Sequence, residues 1–295
     1  VIKQTIEISQ ESAHLAVKHK QLQIKREGNT VGQVPCEDIG MVLVDHPGTT
    51  YTHHALTSLA DSDAAVVICG RNHLPAAILL PLSDHSQVVW RHHDQIAAGK
   101  PLCKRLWQQI VKAKIIAQAD NLEENDIISN QLRQFAKQVR SGDPSNIEAR
   151  AAKLYWQHWL GEEDFRRDRD QTGINSLLNY GYAVMRAALA RAIVAAGLLP
   201  ALGVHHHNRG NPFCLADDLI EPLRPLVDDR VRELYRQGHT ELSQVAKAGL
   251  LELLTEQITI SRETGPLMVS LHKYVASLVR CFAGQAKQLE IPQPC

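Results

Sequence analysis

Gln95–Ile115 reads QIAAGKPLCKRLWQQIVKAKI, and within it the chain changes its hydrophobic period. After Pro101 the spacing becomes helical, with Leu106, Ile110 and Ile115 near one face. Before Gln95 the segments are short, β-branched and punctuated by turns. Leu15/Val17 and Leu22/Ile24 alternate on either side of Lys18-His19-Lys20-Gln21, which predicts a hairpin. Gly28-Asn29 is a turn signal ahead of Thr30-Val31 and Val34. Ile39–Val44 and Ala65–Cys69 are apolar runs of the kind buried strands show. Leu74–Leu82, bounded by Pro75 and Pro81, is another, and Tyr51–Leu59 fits one short helix. On the other side, Gly142-Asp143-Pro144-Ser145 predicts a capping loop with Pro near the first helical turn. The helix that follows carries Ile147, Ala151, Leu154 and Tyr155. A long apolar helix spans Ile174–Ala196, ended by Gly197 and Pro200. Leu267, Leu271, Tyr274, Leu278 and Phe282 mark a last strong helix, and Ile291–Cys295 reads as a frayed tail. The expected fold is α+β. A small N-terminal β-rich domain, residues 1–95, precedes a larger all-helical C-terminal domain, residues 96–295.

Composition narrows the function. Across 295 residues, 32 Lys+Arg balance 32 Asp+Glu, so the net charge is zero. That argues against a chain that merely coats nucleic acid and leaves room for a local basic groove. Such a groove belongs to the second half, where Lys100, Lys104, Arg105, Lys112, Lys114, Arg166, Arg167, Arg169, Arg186 and Arg191 fall. No apolar run reaches the roughly 18 residues a membrane span needs. Val1-Ile2-Lys3-Gln4-Thr5 lacks the apolar core of a secretory signal, and the missing initiator Met points to a trimmed start. The six cysteines form no CxxC pair, so they read as reduced, mostly core thiols of a cytoplasmic protein. There is no Walker loop, GxGxxG, GxSxG or zinc ribbon.

Gly203–Asp228, GVHHHNRGNPFCLADDLIEPLRPLVD, holds the candidate chemistry. Imidazoles and carboxylates are ligands for divalent metals. The three histidines and the acids at 217–221 are too far apart for one helix face, so a loop has to bring them together. Neighbours on an extended segment alternate sides, and spacing alone does not choose among His205, His206 and His207. Asp218 and Glu221 share a helical face. The competing reading makes Asp217 or Asp218 a helix cap and Glu221 a solvated first-turn acid; Pro222 and Pro225 count against it, because both disturb a helical ladder. Glu148 is a third acid, drawn from far upstream. Cys214 reads as a packed wall, and His53-His54 and His92-His93 as surface residues. A carboxylate–histidine–carboxylate set from distant segments suits metal-assisted phosphoryl transfer.

These segments, in order, resemble the CRISPR-associated Cas1 family, the integrases of spacer acquisition. The resemblance rests on Val34–Ile39 (VPCEDI), Leu106–Val111 (LWQQIV) with Lys114-Ile115 and Gln118, and Asp143–Ala152 (DPSNIEARAA). It continues through Leu178–Ala183 (LNYGYA), Gly203–His206 (GVHH) and Ala216–Pro225 (ADDLIEPLRP). The closing motif and compact length resemble members from type II systems, which work beside an RNA-guided effector nuclease. The resemblance implies an N-terminal β domain for dimerisation and scaffolding and a helical catalytic domain. It implies a site of Glu148, His206 and Glu221 around Mg²⁺ or Mn²⁺, with His205 one position off the histidine pattern and Asp218 as a supporting acid. Leu223 stands where the family often has Phe. The implied activity is metal-dependent transesterification, in which the 3′-OH of a short double-stranded protospacer attacks a CRISPR repeat. The implied partners are that DNA, a second copy of the chain and Cas2 in a heterohexamer. Two rivals remain: a metal-dependent nuclease on branched DNA, and a non-catalytic DNA-binding scaffold.

Overall fold

The structure, a computed structural model, describes residues 3–82, 86–122, 124–161 and 165–295. Val1 and Ile2, read above as part of the N-terminal segment, lie outside the described residues. The N-terminal part runs β1 (Gln4–Ile8), β2 (His14–Lys18), β3 (Gln21–Arg26), β4 (Asn29–Pro35), β5 (Ile39–Val44), β6 (Thr50–Tyr51), α1 (His53–Asp61), β7 (Ala65–Cys69) and β8 (Pro75–Leu79). These strands form two four-stranded sheets, ordered β1-β5-β7-β8 and β4-β3-β2-β6. The expected hairpin is β2–β3, with Lys18 opposite Gln21. His19 and Lys20 form its two-residue turn at φ 52° and 60°, a turn whose twist matches that of the strands.

All six residues of β5 are buried, as a strand covered on both faces requires. Val42 and Val44 pack with Leu15, Leu22 and Leu59 between the two sheets and α1. Met41 and Leu43 point the other way and join Val67 in the core of the helical part. The first sheet is therefore a wall shared by two cores.

The helices are α2 (Val88–Ala97), α3 (Lys100–Asp120), α4 (Asp126–Gln138), α5 (Ile147–His158), α6 (Ile174–Ala195), α7 (Cys214–Leu219), α8 (Arg224–Arg236), α9 (Gln244–Glu252) and α10 (Leu267–Phe282). On α2, Arg91 donates to the Ala196 carbonyl at 2.6 Å, and the Gln95 amide donates to Leu199 and Leu202 at 3.0 and 2.9 Å. These bonds tie α2 to the segment that follows α6. Gly197 ends α6 at φ 66°; its N–H bonds Val194 and that of Leu198 bonds Ile193, the double closure of a Schellman motif. No helix among the described residues is long and apolar enough to cross a membrane.

Two expectations are corrected. The C-terminal part is not all helical: β9 (Gln257–Ile260), β10 (Glu263–Pro266) and β11 (Gln293–Pro294) form a sheet in the order β10-β9-β11. Ile258 and Ile260, both 2% exposed, alternate toward the core, and Ser261 and Arg262 turn the chain at φ 50° and 70°. Nor does the tail fray, because Gln293 and Pro294 pair with Thr259 and Ile258. The expected capping loop is present, with Pro144 just ahead of α5. Asn146 at the N-cap position makes no side-chain bond; the capping carboxylate is that of Asp143, which accepts the Ile147 and Glu148 N–H groups, both at 2.9 Å.

Candidate active site

Four segments converge beside α3. From α5, Glu148 sits in the first turn, held by the Asp143 cap. A loop from Gly203 to Phe213 carries the histidines, and α7 carries Asp218. Pro222 and Pro225 lack the N–H that a helix interior needs. They divide 214–236 into α7, a 3₁₀ turn Glu221–Leu223, and α8. Leu223 is fully buried within that turn.

Asp218 is 0% exposed and caps nothing in its own helix. Its carboxylate accepts the Val204, His205 and His206 N–H groups at 2.5, 2.9 and 3.2 Å. It also lies 2.6 Å from His206 Nδ1. This folds the histidine loop onto α7. Gly203 is required by the close approach: a Cβ there would meet the His206 carbonyl oxygen at 2.5 Å and Asp218 Oδ2 at 2.7 Å. The hydrogen bond to Asp218 raises the pKa of His206 against the opposing effect of burial. With Nδ1–H committed to Asp218, neutral His206 offers its Nε2 lone pair elsewhere. His205 turns away and stacks on Trp107, ring centroids 4.1 Å apart and 3° from parallel. Burial holds its pKa below the usual histidine value.

Glu148 and Glu221 meet at a third residue. Lys114 Nζ lies 2.6 Å from Glu148 Oε1 and 2.5 Å from Glu221 Oε2. Arg224 Nε takes the other oxygen of Glu221 at 2.9 Å. Burial favours neutral Glu221, but Lys114 and Arg224 outweigh it and hold the carboxyl down at about 2. Burial likewise favours neutral Lys114; Glu221 and then Glu148 reverse this and raise its pKa. Behind Arg224, Tyr182 donates to the buried Asp228. The Arg224 and Arg167 guanidinium carbons lie 4.5 and 5.5 Å from the Tyr182 ring centroid.

His206 and Glu221 open on one cleft of about 510 Å³, lined also by Arg167, Arg169, Arg186 and Arg224. Glu148 reaches this group through Lys114. Among the described residues no three His, Cys, Asp or Glu side chains already stand at ligand spacing. The donor types nonetheless fit a divalent cation: two carboxylates and an imidazole backed by a carboxylate. A cationic group already lies between the two carboxylates.

Two basic residues expected in a DNA groove are placed otherwise. Lys114 is buried between the acids. Arg191, 3% exposed, binds the Asp63 carboxylate at 2.8 Å and the Asp63 carbonyl at 2.6 Å. The reading of the acids at 217–221 as a cap and a solvated side chain also falls, because Asp218 and Glu221 are both buried. The sequence reading missed Lys114, Arg224 and Asp143 as parts of the site. For Lys114 the signal was present: it continues the buried stripe Trp107, Ile110, Val111 at helical spacing, where an unpaired lysine is rare. Cys214 is buried, its Sγ near the Asn208 and Asn211 carbonyls, as a wall residue should be.

Known proteins bear on this arrangement. The family model for CRISPR associated protein Cas1 matches residues 6–258. A CRISPR-associated endonuclease Cas1 from Neisseria meningitidis serogroup C (strain 8013) is 39% identical over 289 residues, covering 96% of this chain and 94% of the relative. Among solved structures, a casposase bound to integration product superposes with a TM-score of 0.80 at 19% identity, covering 98% of this chain and 93% of that one. A chain of a Cas6-RT-Cas1–Cas2 complex gives 0.77 at 16%, covering 98% of this chain and 36% of that one. At such identities the two structures speak to the fold alone. The family match and the Neisseria relative both span most of the sequence, and this chain belongs to the CRISPR-associated Cas1 family.

Proposed function

We propose that the protein is a metal-dependent DNA integrase of CRISPR adaptation, acting by transesterification at the Glu148–His206–Glu221 site. The observation that carries the reading is His206, turned by buried Asp218 so that it and Glu221 face one arginine-lined cleft. Glu148, His206 and Glu221 would hold Mg²⁺ or Mn²⁺. When bound, such a metal lowers the cost of an alkoxide nucleophile and stabilises charge on phosphoryl oxygens. The chain's own groups do the rest. Asp218 fixes the His206 tautomer. Arg167, Arg169 and Arg186 line the side of the cleft on which a phosphodiester would lie, and such contacts weaken steeply with salt. One phosphodiester is exchanged for another, so no nucleotide cofactor is needed.

The substrates in this reading are a short double-stranded protospacer with 3′-OH ends and a CRISPR repeat. The partners are a second copy of the chain, paired through the N-terminal β-rich part, and Cas2, which bridges two such dimers. In a type II setting the RNA-guided effector nuclease works alongside.

Hydrolysis of branched DNA would use the same residues with water as nucleophile, so the products decide. The test incubates protein, Cas2, a labelled duplex and a plasmid bearing a repeat array with Mn²⁺ or with EDTA. Labelled strand joined to the plasmid, only with Mn²⁺, supports integration. Shortened strands without joining favour the nuclease.

A further inference from the structure

Lys114 lies between two of the three side chains proposed to hold the metal. Its Nζ is within hydrogen-bond distance of one oxygen on each carboxylate, 2.6 Å from Glu148 and 2.5 Å from Glu221. Its side chain is 10% exposed and that of Glu221 9%, so that pair is no surface contact screened by solvent; Glu148 is 24% exposed. Arg224 takes the second oxygen of Glu221, so both of that carboxylate's oxygens are bound by cations. The two cations differ in freedom. Arg224 lies over Tyr182, with a planar guanidinium fixed by stacking. Lys114 is a point charge on a flexible four-carbon stem. A divalent ion shared by Glu148 and Glu221 would meet the ammonium at a few ångströms, where like charges repel strongly away from bulk water. Of the two cations, the lysine has the more flexible stem.

We propose that Lys114 is a resident counter-cation of this site. Its ammonium holds Glu148 and Glu221 together in the metal-free protein and leaves that position when a divalent metal takes the two carboxylates. The inference rests on the reading of Glu148, His206 and Glu221 as metal ligands. Lys114 would then be neither a DNA contact nor a group that touches the reacting atoms. It sets how tightly metal binds and keeps the empty site from carrying two bare acids side by side, one of them, Glu221, buried. Metal entry becomes an exchange of one cation for another, and the apparent affinity is the difference between the two.

The test compares Mn²⁺ binding, followed by the paramagnetic resonance of free Mn²⁺, with thermal melting in EDTA and in Mn²⁺. Lys114→Met keeps the length and removes the charge. It should bind Mn²⁺ at least about tenfold more tightly than wild type, about 1.4 kcal/mol. It should melt several degrees lower in EDTA and recover most of that loss with Mn²⁺. Lys114→Arg keeps a charge that withdraws less readily. It should bind Mn²⁺ several-fold more weakly than wild type, and it reports even if Lys114→Met fails to fold without metal. Unchanged or weaker affinity in Lys114→Met overturns the proposal, as does unchanged affinity in Lys114→Arg. Lost strand joining with wild-type Mn²⁺ affinity also overturns it and assigns Lys114 to the chemistry. If wild type binds no more Mn²⁺ than Glu148→Gln, the metal reading itself fails, separately from the role of Lys114.

Discussion

A single buried carboxylate, Asp218, accepts three backbone N–H groups and lies against His206 Nδ1. Asparagine in its place would turn an acceptor oxygen into an NH₂ group that faces donors. The histidine loop would loosen and the His206 tautomer would no longer be fixed. Loss of such a partner typically costs 10–100-fold in metal affinity or activity. Asp218→Asn should therefore need about 10–100-fold more Mn²⁺ for half-maximal strand joining; an unchanged Mn²⁺ requirement would remove Asp218 from the site. Asp228 gives a pH signature. Burial pushes its carboxyl up to about 7, against the hydrogen bonds of Tyr182 and Tyr155 and the charge of Arg224. The unfolded chain loses this proton near its ordinary value of 3.8. Between about pH 4 and about pH 7 the folded state holds the extra proton, so stability falls as pH rises through that window. Asp228→Asn should flatten this part of the curve, read as urea midpoints at about pH 5 and about pH 7.5. At this scale the residue types were legible and their orientations were not. Three adjacent histidines offer the same chemistry, and only the stacking of His205 on Trp107 and the turn of His206 to Asp218 distinguish their roles.

Helix ends place the acids. Asp143 caps α5 through the Ile147 and Glu148 N–H groups, so the backbone of Glu148 is fixed by a residue outside the proposed ligand set. Asp143→Ala should cost about 1 kcal/mol of stability in a chemical denaturation series. It should also lower strand joining while leaving His206 and Glu221 in place. The break at Pro222 and Pro225 was readable in the sequence, because proline has one consistent effect in a helix. The capping loop was readable too, although Pro144 drew attention from the side chain that makes the bonds. Gln257–Ile260 was not: a four-residue strand offers only Ile258 and Ile260 as a period, too few to stand out between helices. The pairing of the tail was hidden for a different reason. Its partner strand lies more than thirty residues upstream, and nothing local in Gln293-Pro294 announces it.

Across the whole molecule, the change of period near Gln95 separates most of the strands from most of the helices, but not one core from another. Met41, Leu43 and Val67 of the first sheet pack into the helical core. The two parts are also joined by a buried ion pair. Lys247 on α9 binds Asp45, just after β5; their side chains are 8% and 2% exposed. His73 holds the same carboxylate at 3.0 Å. Lys247→Met would leave that acid buried without its lysine, a change that typically costs about 3–5 kcal/mol. A large fall in melting temperature is expected, with both parts unfolding together because they share a core. An unchanged melting temperature would show that His73 alone satisfies Asp45. Such a contact spans 202 positions in sequence and leaves no local pattern to read.

The central claim is that Glu148, His206 and Glu221 form one metal-dependent strand-transfer site. It is tested most directly by Mn²⁺-dependent joining of a 3′-OH duplex to a repeat-bearing plasmid, with Cas2 present. Wild type would be compared with Glu148→Ala, His206→Ala, Glu221→Ala and His205→Ala. The account predicts that the first three variants lose joined product and that His205→Ala keeps it. Joining by Glu148→Ala at the wild-type level would contradict the site and favour a non-catalytic, DNA-binding scaffold.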